Sequence, residues 1–64
     1  MIAGMYAKGT NRVLVLKDFR NPGRYMLFTY YPRYGNRILD MPETEAIRHV
    51  AGMEWIGTGV WGNE

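Results

Sequence analysis

Arg24-Tyr-Met-Leu-Phe-Thr-Tyr-Tyr-Pro-Arg-Tyr-Gly-Asn-Arg37 is the stretch on which the fold turns. Read as a strand, its first eight residues put Arg24, Met26, Phe28 and Tyr30 on one face and Tyr25, Leu27, Thr29 and Tyr31 on the other. One of those faces must cover a core, so the period of two predicts a sheet and leaves only half of the rings for a ligand. Pro32 cannot donate to a ladder and ends the strand or marks an edge. Arg33-Tyr34-Gly35-Asn36 then reads as a turn, followed by a short fourth strand at Arg37-Ile38-Leu39.

Upstream, Asn21-Pro22-Gly23 is a strong turn signal, because proline fixes the second turn position and glycine accepts a positive φ at the third. Before it, Arg12-Val-Leu-Val-Leu-Lys-Asp-Phe19 carries aliphatic residues on both alternating faces. Such a pattern marks a strand covered on both sides, or one at a dimer seam. Lys8-Gly9-Thr10-Asn11 joins it as a hairpin turn to a first short strand, Ile2 to Ala7.

Downstream, Asp40-Met-Pro-Glu43 predicts a helix start, with Asp40 as N-cap, Glu43 completing a capping box and Pro42 in the first turn. The helix spans about residues 42–51, closed by Gly52, and its narrow apolar stripe is Ala46, Ile47, Val50 and Ala51. Ile47 and Val50 are expected to pack on the sheet, against some of Val13, Val15, Phe28, Trp55 and Ile56. Met53 to Trp61 alternates as a last strand. The expected fold is therefore α+β: one domain over residues 1–64, an antiparallel sheet of three to five strands with one helix on a face, in the order β-β-β-(β)-α-β.

Sixty-four residues bury only about 60% of their unfolded surface, so a chain this short needs a supplement to its core. With no cysteine, neither disulfides nor thiolate metal sites can supply it, and His49 as the only histidine makes a poor start for any other metal site. A dense apolar core, or a homodimer, is what remains. No apolar run reaches membrane-spanning length, and the first residues lack the plan of a signal peptide, so no membrane partner and a cytoplasmic location are expected.

Catalysis has little to work with. Serine and cysteine are both missing, which leaves four threonines and one histidine, and the acids Glu43 and Glu45 are explained by the dipole of a first helical turn. Gly57-Thr-Gly-Val-Trp-Gly62 matches a dinucleotide-binding pattern by letter, but the helix that would receive a pyrophosphate is not expected after it. A glycine-kinked strand that lets a tryptophan approach neighbouring backbone fits better. His49 is expected on the helix surface near Glu45, or half-buried beside the stripe. No catalytic residue, cofactor or metal is assigned.

Binding is the expected function. Residues 1–37 carry seven lysines and arginines against Asp18 alone, whereas residues 38–64 carry Arg48 against five acids. The asymmetry predicts a basic face and an acidic one, or else solvated strands followed by a helix whose acids complement its dipole. Candidate partner-binding residues are Lys17, Arg20, Arg24, Tyr25, Tyr31, Arg33, Tyr34 and Arg37, the turn residues Arg33, Tyr34 and Arg37 above all. Tyrosine, tryptophan, methionine and arginine are the types enriched in protein–protein hot spots. In size and in methionine and tryptophan content the chain resembles small accessory proteins of phages and prophages, a likeness that implies a module docking on a larger host enzyme or complex. The alternative is a nucleic-acid-binding sheet, with bases stacked on the 24–37 rings and phosphates held by the arginines.

Overall fold

A computed structural model describes residues 1–57 and contains five strands and one helix. Strand β1 is Gly4–Lys8, β2 Asn11–Lys17, β3 Arg24–Tyr31, β4 Gly35–Pro42 and β5 Glu54–Gly57, with helix α1 at Glu43–His49 between the last two. They form one antiparallel sheet in the order β4-β3-β2-β1-β5. The expected α+β architecture and element order are those of the structure.

Each hairpin follows from its turn chemistry. Gly9, at φ +61°, closes the two-residue β1–β2 turn, and Lys8 pairs with Asn11. At the β2–β3 loop the N–H of Arg24 donates to the Asn21 carbonyl at 3.1 Å, with Pro22 and then Gly23 (φ +84°) at the two central positions. The β3–β4 turn sits slightly earlier than expected. Tyr34 N–H donates to Tyr31 O at 2.9 Å, so Pro32 and Arg33 are its centre and Gly35 resumes the pairing opposite Tyr31. The fixed φ of Pro32 suits the second position of that turn.

Strand β4 is eight residues long, where a three-residue strand was expected, and pairs along the whole of β3 from Tyr31↔Gly35 to Arg24↔Pro42. It is an edge strand, where proline costs no ladder bond. This extension also overturns the expected N-cap. Asp40 lies within the strand and accepts a hydrogen bond from Arg24 Nε at 2.6 Å, while the cap position falls to Pro42, with no side-chain cap. The Glu43 N–H is satisfied instead by the Gly23 carbonyl at 3.2 Å.

Alternation along β3 resolves in one direction: Tyr25, Leu27 and Thr29 are buried on the helix side. They join Tyr6, Val13, Val15, Ala46 and Val50, with Leu27, Val13 and Val15 fully enclosed. The helix packs Ala46 and Val50 inward, one turn apart, and Ile47 is 49% exposed, so the expected Ile47 contact is not made. Ala46 is completely buried; its small side chain brings this short helix close to the sheet. Phe28 lies on the opposite face, away from the helix, and Trp55 and Ile56 sit outside the core on β5. The helix is shorter than expected at both ends. Gly52, at φ +83°, turns the chain toward β5.

Strands β1 and β5 meet at a register shift between Met5 and Tyr6. There Trp55 Nε1 donates to the Ala3 carbonyl at 3.1 Å, and Tyr6 Oη donates to Ile2 O at 2.6 Å. A tryptophan thus does approach neighbouring backbone, and Gly4 is the glycine that makes room for it. The remainder of the expected last strand, with the Gly57 to Gly62 glycine pattern, lies beyond the described residues.

Candidate functional site

The antiparallel register sends the candidate residues to opposite ends of the strands. Lys17, Arg20 and Arg24 lie at the β2–β3 end; Tyr31, Arg33, Tyr34 and Arg37 lie at the β3–β4 tip. The eight residues of β3 hold these ends roughly 24 Å apart. Tyr25 belongs to neither, because its ring is buried in the core under the helix.

The tip is the better-formed of the two. Tyr31 is half-buried, Tyr34 is 77% exposed, and Arg33 and Arg37 are exposed. Tyr31, Tyr34, Arg37, Leu39 and His49 line a notch of ≈ 350 Å³ between the hairpin and the end of the helix. His49 comes to this notch from the last helical turn, and no described salt bridge joins it to Glu45. Its proximity to Arg37 depends on how α1 crosses the sheet, which sequence spacing does not encode.

Charge gathers at the same end. The β1–β2 turn lies alongside the tip, since Arg12 pairs with Tyr30 and Tyr30 with Asn36. Lys8, Arg12, Arg33, Arg37 and the helix-terminal Arg48 therefore share one end of the molecule, with Glu54 as an acid of that region among the described residues. Among the described residues the salt bridges are Met1 N-terminus–Glu43 and Arg24–Asp40, both at the other end. Arg33, Arg37 and Arg48 make no ion pair among the described residues. The charge asymmetry along the chain thus becomes an end-to-end asymmetry in the fold, with the acids of the first helical turn far from the tip.

At the β2–β3 end the structure exposes a residue that the sequence reading passed over. Phe19 is 91% exposed on a loop whose neighbour, Asp18, is buried. Asp18 holds the loop: its carboxylate accepts from Asn21 Nδ2 and from the Arg20 N–H, both at 3.0 Å. Its pKa is lowered to about 2, first by the Asn21 side chain and then by the backbone N–H groups of Arg20 and Asn21, against an opposing effect of burial. The signal for Phe19 was present. An aspartate followed three residues later by Asn-Pro-Gly is turn chemistry, and it removes Phe19 from the strand to which its hydrophobicity assigned it.

The five rings of the 24–37 stretch end on different surfaces. Phe28 and Tyr30 share the face opposite the helix, Tyr31 and Tyr34 flank the tip notch, and Tyr25 is interior. No group of three or more metal-ligating side chains occurs among the described residues, and none of their helices is long and apolar enough to cross a membrane. What the tip offers chemically is a small concavity with two phenol rings, an imidazole and guanidinium groups. Such groups donate hydrogen bonds and cover apolar surface.

The fold defines a small α+β domain, a five-stranded antiparallel sheet with one helix on one face. No family model matches the chain, and no curated protein or solved structure is significantly similar to it.

Proposed function

We propose that this protein is a non-catalytic binding module that docks on a larger protein through its basic, aromatic tip and thereby modulates that partner, in the manner of a small accessory protein. The observation that carries this reading is the tip itself: Arg33, Tyr34 and Arg37 are presented to solvent around a notch, with no ion-pair partner among the described residues. Tyrosine and arginine are the side chains that most often dominate protein interfaces, because each covers much area with few rotors and keeps a polar end. The cations favour an acidic surface on the partner. Phe19 offers a second apolar anchor at the far end of the sheet.

A nucleic-acid-binding role draws on the same cations. The distribution of rings favours protein, since a base-stacking platform needs several rings on one basic face, and the five rings of the 24–37 stretch are split between two surfaces and the interior. The face that carries Phe28 and Tyr30 is mostly aliphatic and has Arg24 tied to Asp40.

The test is capture from the native source by the tagged protein after nuclease treatment, with a double variant Tyr34→Ala/Arg37→Glu beside it. One defined protein retained by the natural chain and lost by the variant is the expected result. An empty capture, or equal retention by both, refutes the docking role. Binding of a labelled oligonucleotide that weakens steeply from low to moderate salt transfers the function to the nucleic-acid reading.

A further inference from the structure

The face of the sheet opposite the helix is apolar, and no described helix or strand packs across it. Its three cross-strand rows follow from the register. The middle row is Ile38, Phe28, Leu14 and Met5, running from β4 to β1. On one side of it lie Met26 and Leu16, with the paired Arg24 and Asp40 at the margin; on the other lie Tyr30 and Ala7, with Asn36 and Arg12. Ile38 is 66% exposed, and Leu16 and Tyr30 are exposed too. A broad trough of ≈ 820 Å³ runs over the middle row. An antiparallel sheet with one wet face ordinarily carries polar side chains there. In this chain β2 is aliphatic on both faces, Val13 and Val15 toward the helix and Leu14 and Leu16 away from it.

We propose that this face is the seam of a symmetric homodimer, in which the sheets of two copies of this chain pack face to face. Three observations select a second copy as the occupant. The first is charge. The margin carries Arg12, Arg24 and Arg37 against Asp40 and Glu54, Arg24 is neutralised by Asp40, and Arg12 donates to the Gly9 and Asn11 carbonyls at 2.7 and 2.8 Å, back along its own turn. A two-fold interface sets a patch against itself, so any net charge is doubled; the excess here is a single cation, with Arg37 at the tip edge of the trough. The same near-balance gives little counter-charge to a strongly acidic or basic partner.

The second observation is area. Five strands at about 4.8 Å spacing and three rows at about 7 Å give a face of roughly 20 Å on each side. Roughly 400–600 Å² from each copy makes a buried total near 1,000 Å², the lower bound for a specific interface. The third is the thinness of the core. One two-turn helix covers one side of the sheet, and among the described residues only Leu27, Val13 and Val15 are large side chains that are fully enclosed. A second sheet about 10 Å away converts a one-sided core into a sandwich with two, the supplement that a chain of this size requires. The proposal does not depend on the tip site, with which it shares Arg37; Tyr34 lines the notch alone.

Sedimentation velocity of the full chain across the micromolar range tests it, with Ile38→Glu and Leu16→Glu on the face and Ile47→Glu on the exposed side of the helix. The expected result is a species of about 15 kDa, twice the 7.4 kDa chain. Each face variant should raise the dissociation constant at least ~10-fold while keeping the circular dichroism of a folded sheet, and Ile47→Glu should leave it unchanged. A chain that stays monomeric throughout, or a dimer indifferent to both face variants, overturns the proposal. Should the face variants unfold, isotope-filtered NOEs on the natural chain decide. Intermolecular contacts from the Leu14, Leu16, Met26 and Ile38 methyl groups uphold the seam; their absence, or contacts from Ile47 in their place, removes it.

Discussion

Replacing Gly4 by alanine probes the least forgiving joint in the fold. Gly4 adopts φ +137°, a conformation that side-chain-bearing residues seldom take. A Cβ built there collides with the Gly57 carbonyl oxygen and with Trp55 Nε1, and lies 3.2 Å from the Gly57 carbonyl carbon. Backbone strain of this kind costs about 1–3 kcal/mol. The collision adds about 1–3 kcal/mol, because two of the obstructing atoms are backbone and cannot turn away as a rotamer would. Reduced entropy of the unfolded chain offsets only about 0.4–1 kcal/mol. The net loss is about 1–5 kcal/mol, set against a total of roughly 3–10 kcal/mol for a domain of this length.

Gly9→Ala is the control, since Gly9 also has positive φ (+61°) but nothing within 4 Å of the added carbon. It should cost about 1 kcal/mol, the strain alone. Urea unfolding followed by circular dichroism measures both, in a Trp61→Phe background so that Trp55 is the only indole. If β5 separates to relieve the clash, Trp55 emission shifts to the red before the main transition, as its bond to Ala3 O is lost. A Gly4→Ala variant no less stable than Gly9→Ala would refute the close approach of β1, β5 and the Trp55 ring.

Asp18 gives a pH dependence whose sign is fixed by its environment. Its folded pKa, about 2, lies below the ordinary value of 3.8, so the stabilisation is complete above that ordinary value and disappears as pH falls toward 2. Thermal melts of the natural chain and Asp18→Asn should therefore differ at neutral pH and converge in strong acid; a constant gap would count against the hydrogen-bonded loop. Leu27→Ala empties the centre of the core and should cost about 2–5 kcal/mol by chemical denaturation, whereas a loss under 1 kcal/mol would mean that Leu27 is not enclosed. Tyr6→Phe removes only the hydrogen bond to Ile2 O and should cost about 1 kcal/mol in the same assay. Phe19→Ala should leave stability within about 0.5 kcal/mol, since the ring touches solvent, while weakening any partner that uses it as an anchor.

Local chemistry carried much of the fold into the sequence. Asn21-Pro22-Gly23 and Gly9 closed their hairpins as their φ preferences require, and the alternation of β3 divided its side chains between two faces. The strand ends were less legible. Asp40 reads locally as a helix cap, and that preference lost to the pairing of β4 with β3 and to the guanidinium of Arg24, sixteen residues away. Ile47 is more hydrophobic than Ala46, yet the direction in which the helix crosses the sheet buries the smaller residue. For the candidate site, composition pointed to arginine and tyrosine and to the turn at Arg33 and Tyr34. Spacing along the chain could not bring His49 to Arg37, and the hydrophobicity of Phe19 concealed its exposure on a loop.

By itself, then, the sequence determined an antiparallel sheet with one helix, the main turns, and a strand apolar on both sides, because these depend on residues near one another in the chain. Only the tertiary structure decided which face of β3 is interior, that the cations collect at one end, and that Leu14, Leu16, Phe28 and Ile38 share an open surface. Alternation states that two faces differ; which of them the helix covers is settled by the path of α1 across the sheet, a contact between distant segments that no local pattern records.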